Sequence, residues 1–172
     1  MQKSLLSYII RYFIIVVIQV FVLNKIQIGG YINPFFYVFF ILILPFDIPK
    51  YLLLILAFIL GLTVDMFSDT AGLHTSAAVF MAFLRPAIIR ATSVKKEFDP
   101  NSYPGLHNMD FSWIVTYSII LILAHHAFLF FLEVFSFSDF FSTLWRSIVS
   151  TFFTFLLVLI GFFIESKPKR RV

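Results

Sequence analysis

The chain reads as an all-α integral membrane protein, a bundle of six transmembrane helices with both termini in the cytoplasm. Three observations predict this. At 60% hydrophobic and 13% charged residues over 172 positions, with a mean hydropathy of +0.97, a soluble globule would leave large apolar areas in water. The apolar residues fall in runs near the length, about 20 residues, that a helix needs to cross a bilayer. Finally, lysine and arginine are distributed very unevenly between the two sides that such a bundle defines.

The first span covers residues 5–23, with Arg11 snorkelling its charged head toward the near surface while its stem stays in lipid. It lacks a small-residue cleavage site before Asn24 and Lys25, so it is expected to be a retained helix rather than a signal peptide. Gly29-Gly30 and Asn33-Pro34 punctuate the chain before the short second span, 31–46. Pro45 and Pro49 bracket a break before the third span, 51–67. The fourth, 73–89, ends near Arg85-Pro86, where proline can kink the helix and the arginine is expected to reach the headgroups. Residues 90–110, with Pro100, Pro104 and Gly105 and no apolar periodicity, form a loop. Spans five and six cover 111–135 and 140–164, and 165–172 is a basic tail. No connection is large enough for a core of its own, so residues 1–172 make one polytopic domain.

Orientation follows from the cations. With the amino terminus inside, the inner set is Lys3, Arg11, Lys50, Arg85, Arg90, Lys95, Lys96, Lys167, Lys169, Arg170 and Arg171, leaving only Lys25 and Arg146 outside. Tyr31, Trp113 and Trp145 fall near span ends, as interfacial aromatic belts require. The net charge of +4 therefore reads as topology, and no basic stripe on a soluble face points to nucleic acid.

An acidic residue inside an apolar run is the most informative feature. In Gly61-Leu62-Thr63-Val64-Asp65 the carboxylate costs about 2.5–3.5 kcal/mol on insertion scales, so it is a candidate functional group by default. Asp65 should form a polar knot with Gly72 and His74 across the turn into span four. The competing readings are a chemically active carboxylate and a solvated turn residue beside Asp69. Lys25 and Arg146 lie at about its predicted depth, and one of them is the expected charge partner. Ala71, Thr75, Ala78 and Ala82 recur at helical spacing and would permit close helix approach, either within the bundle or toward a partner.

His125, His126 and Glu133 could form a relay or a metal site. Adjacent histidines point about 100° apart, however, so hydrogen-bonded core histidines are expected instead, with no metal and no cofactor. Absent cysteine excludes disulfides, thiolate sites and cysteine nucleophiles. The chain also lacks H-E-x-x-H, G-x-S-x-G, an aspartate-rich cluster and a Gly-rich phosphate loop, so no enzymatic activity is expected.

The run from Gly61 through Asp65, Gly72 and His74, followed by an apolar helix ending in Phe83-Leu84-Arg85-Pro86, resembles the rod shape-determining MreD family. The chain length, Asn33-Pro34 before span two and the basic ends are also similar. The polar stretch from Lys95 to Asp110 departs from the short connector of that family. The resemblance implies a non-catalytic scaffold of the cell-elongation machinery in the bacterial inner (cytoplasmic) membrane. Its partners would be membrane lipid and MreC, and through MreC the actin-like MreB, the glycosyltransferase RodA and the elongation-specific transpeptidase. It also implies a six-helix fold similar to the substrate-binding subunits of energy-coupling-factor transporters, an analogy of fold that gives no function. The alternative is a small-molecule or ion carrier in which Asp65, His125, His126 and Glu133 line a polar cavity. No internal repeat supports it, and the acidic motif sits near one surface.

Overall fold

The computed structural model describes residues 5–26, 32–92, 102–135 and 139–166, and these form an all-helical structure. Its elements are α1 (Leu5–Phe21), α2 (Val38–Leu42), α3 (Lys50–Ser68), α4 (Leu73–Thr92), α5 (Phe111–Val134) and α6 (Phe140–Glu165), with a short 3-10 turn at Leu23–Lys25. Lys3, Tyr31, Lys95, Lys96, Lys167, Lys169, Arg170 and Arg171, all used in the topological reading, lie outside the described residues.

Among the described residues, four stretches are long and apolar enough to cross a membrane: Leu6–Lys25, Lys50–Ser68, Phe111–Val134 and Phe140–Glu165. Their outward faces carry Phe13, Ile14, Phe58, Phe141, Phe152 and Phe163, all exposed, as side chains that meet lipid do. Helix α4 has a comparable 20 residues, but His74, Thr75, Ser76, Arg85 and Arg90 make it more polar. It also runs through Pro86 to Thr92, so the following connection starts later than the composition suggests.

The second predicted span, 31–46, is not one continuous helix. Within residues 32–49 the only regular helix is the five-residue α2, and every residue from Tyr37 to Leu44 is buried. Such irregular backbone is tolerated at membrane depth only where protein satisfies its polar groups. The neighbouring helices do so from both ends, through Gln19 and Tyr117.

Helices α3, α4, α5 and α6 pack each against the next, and α1 lies along α3. Arg11 of α1 pairs with Glu165 of α6 at 3.0 Å, placing the start of α1 and the end of α6 at one end of the bundle. Part of the central connection docks at that end: Phe46 N–H donates to the Ser102 carbonyl at 3.1 Å, and His107 Nε2 donates to the Ser166 carbonyl. Asp65, Glu133 and Arg146 mark the opposite end.

Candidate functional site

Gly61 and Asp65 stand one turn apart on the buried face of α3. A Cβ on Gly61 would lie 2.4 Å from Thr75 Cα and 2.7 Å from the His74 carbonyl, so only glycine lets α3 and α4 approach this closely. That approach delivers the first turn of α4 to the Asp65 carboxylate. Oδ1 accepts from Thr70 Oγ1 at 2.5 Å and from His74 N–H at 3.0 Å. Oδ2 accepts from Thr75 N–H at 2.8 Å and Thr75 Oγ1 at 2.5 Å. Asp65 thus caps α4 from a neighbouring helix, satisfying amides that would otherwise lack partners where the helix dipole also favours a negative charge. The turn needs two left-handed residues, Asp69 at φ 52° and Gly72 at φ 84°. Asp65 is 3% exposed, which rules out the solvated turn.

The structure brings Gly61, Asp65, Gly72 and His74 together, but the expected charge partners do not join them. Arg146 pairs with Glu133 at 2.9 Å and lies 4.0 Å over the Phe130 ring, while Asp65 takes all of its hydrogen bonds from the turn. Among the described residues Lys25 enters no ion pair. The physical reason is that one hydroxyl-rich turn already fills both carboxylate oxygens, leaving no geometry for a cation.

His74 links this knot to the core. Its Nδ1 lies 3.1 Å from Tyr37 Oη, which lies 2.6 Å from His125 Nε2. One hydroxyl serves both rings only by donating to one imidazole and accepting from the other. His126 is held separately. Its Nδ1 donates to the Ile122 carbonyl at 2.9 Å, so Nε2 accepts from Thr154 Oγ1 at 3.1 Å, and that oxygen accepts from Phe35 N–H at 3.0 Å. Both histidines are fully buried, as expected, but neither meets Glu133 and they do not share a ligand set. Among the described residues no three such side chains converge as a metal site.

Sequence reasoning missed the residues that hold segment 32–49. Gln19 accepts from Tyr37 N–H at 3.1 Å and donates to the Pro34 carbonyl at 3.3 Å. At the other end Tyr117 donates to the Leu42 carbonyl at 3.1 Å. Arg85, expected at the headgroups, is instead 1% exposed; it donates to Tyr117 Oη at 2.8 Å, to the Pro45 carbonyl at 3.3 Å and to the Leu44 carbonyl. A guanidinium suits this role because its fixed fork reaches several carbonyls while its charge meets their negative ends.

The small-residue face is also revised. Thr75, Ala78 and Ala82 are buried inside the bundle, whereas Ala71 precedes α4 in the turn and is exposed, so the face serves internal packing. Above the knot, at the Asp65 end, a polar cavity of about 410 Å3 is lined by Lys25, Asp69, His74, Glu133 and Arg146 among others. Asp65, His125 and His126 are not in its wall.

Fold and site together define an all-α protein with membrane-length apolar helices and a buried polar core. Comparison with protein-family models, curated proteins and solved structures finds no match to this chain.

Proposed function

We propose that the chain is a six-pass protein of the bacterial inner membrane, with both termini cytoplasmic, acting as a non-catalytic MreD-like scaffold of the cell-elongation machinery. In this reading it binds MreC and, through it, works with MreB, RodA and the elongation-specific transpeptidase on peptidoglycan synthesis and cell shape. Helix α4 and the irregular segment 32–49 supply the fourth and second crossings.

One observation carries the reading: the buried polar groups of the Gly61, Asp65, Gly72 and His74 motif are spent on joining α3 to α4 and to the core. A motif used this way builds a rigid body whose outer helix faces remain available for association, where packing drives contact in lipid. The carrier alternative has less behind it, because Asp65, His125 and His126 hold protein groups and do not line the cavity.

Depletion in the host tests the proposal. Rod-shaped cells should round and widen as the protein is lost, and re-expression should restore them. Unchanged cell shape after complete depletion would refute it. Adjacent genes for an actin-like protein and a transpeptidase are a further expected outcome.

A further inference from the structure

The polar cavity at the Asp65 end carries chemistry that the scaffold reading does not use. We infer that it binds a phosphoethanolamine-type zwitterion, with Lys25 taking the phosphate and Asp69 the ammonium.

Four charged side chains line the cavity, and two of them, Arg146 and Glu133, neutralise each other at 2.9 Å. Lys25 and Asp69 remain, one of each sign, and among the described residues neither enters an ion pair. Opposite charges left unpaired in one wall are complementary to a ligand that carries both signs and no net charge. A purely anionic ligand would leave Asp69 unmatched, and a purely cationic one would leave Lys25 unmatched.

An independent feature points into the same space. His74 is 5% exposed and lines the cavity; Nδ1 is taken by Tyr37, and Nε2 has no partner among the described residues. A nearly buried imidazole with one nitrogen unused is a hydrogen-bonding group for a phosphate oxygen or an ammonium, according to its tautomer. Asn24 and Ser68, both in the cavity wall, are joined by a hydrogen bond from the Asn24 amide to Ser68 Oγ at 2.8 Å.

The volume and position fit a headgroup. About 410 Å3 exceeds the space of one phosphoethanolamine, leaving room for water or glycerol-ester atoms. Phe67 is both part of the wall and 59% exposed, and its ring neighbours that of Phe21, also 59% exposed, at 6.4 Å. Apolar surface therefore continues from the cavity mouth along α1 and α3, where acyl chains would lie.

The test is calorimetric titration of the purified full chain in detergent with dihexanoyl-phosphatidylethanolamine, dihexanoyl-phosphatidylglycerol and O-phosphoethanolamine. Saturable binding of the ethanolamine lipid, at least tenfold tighter than the glycerol lipid, is expected. Lys25→Gln and Asp69→Asn should each weaken it at least tenfold; asparagine tolerates the left-handed backbone at position 69, so that fold is preserved. Arg90→Gln, an exposed position on α4 toward the opposite end, should leave affinity unchanged. Comparable binding of O-phosphoethanolamine would identify the headgroup alone as sufficient, and binding of the lipid only would identify a membrane phospholipid as the source. Absence of binding, equal affinity for both lipids, or indifference to both substitutions would overturn the inference without bearing on the scaffold reading.

Discussion

Replacing Gly61 by alanine probes the contact on which the α3–α4 knot rests. The added Cβ would sit 2.4 Å from Thr75 Cα and 2.8 Å from Thr75 N. Carbon atoms pack at about 3.5–4.0 Å, and backbone atoms cannot rotate away, so the helices must part by about 1 Å. Overpacking of this kind costs about 1–3 kcal/mol. The same displacement stretches the bonds from His74 N–H and Thr75 N–H to Asp65, now 3.0 and 2.8 Å, beyond useful range. Each such bond to a charged group is worth about 1.5–3 kcal/mol, although the losses are not additive. A total of about 3–5 kcal/mol is therefore expected, a fall in apparent Tm of roughly 6–20 °C for a chain of this size. Gly72→Ala is the control, because a Cβ there meets nothing within 4 Å and the penalty is only the left-handed backbone at φ 84°, about 1–2 kcal/mol. The assay is the monodisperse fraction surviving heating in detergent, read by size-exclusion chromatography. If Gly61→Ala is as stable as wild type, or no worse than Gly72→Ala, the close crossing is not formed as described.

Charge exchange separates the two polar clusters at the Asp65 end: Glu133→Lys should be partly rescued by Arg146→Glu, whereas Asp65→Lys should be rescued by neither Arg146→Glu nor Lys25→Glu, with recovery of folded protein as the measurement. Arg85→Leu should cost about 2–4 kcal/mol in the same heating assay, since it strips donors from the buried Leu44 carbonyl and the half-buried Pro45 carbonyl. Ala78→Leu should destabilise the bundle while Ala71→Leu, exposed in the turn, should change stability by less than about 0.5 kcal/mol. Because the chain has no cysteine, single cysteines report topology directly: Asp139→Cys should react with an impermeant maleimide in intact cells and Asn108→Cys only after permeabilisation, and the reverse pattern would invert the orientation.

What was legible in the sequence follows the reach of each signal. Hydropathy extends over a whole helix, so α1, α3, α5 and α6 stood out by their length and apolar content. An acid inside an apolar run, followed by a turn-like stretch into Gly72 and His74, made the motif recognisable as a joint between spans three and four. The donors to Asp65 were hidden because two of them are backbone amides, which every residue but proline has. A cation was the natural partner to seek for an intramembrane acid; a helix start brought within reach by a glycine was the one used. Residues 35–44 form an almost unbroken apolar run, and nothing local distinguishes a spanning helix from a buried irregular segment held by side chains far along the chain. Arg85 continues the spacing of Ala78 and Ala82, the face that turns inward. That periodicity, and not the tendency of arginine near a span end to snorkel, sets its position.

Capture of MreC bears most directly on the proposed role. The full chain, tagged and expressed at native level, would be purified from host membranes in mild detergent and probed for MreC, with the reciprocal purification through MreC. Both proteins should co-elute in either direction, with Gly61→Ala reducing recovery in proportion to its loss of folded protein. Intact, monodisperse chain that carries no MreC in either purification would contradict the scaffold function.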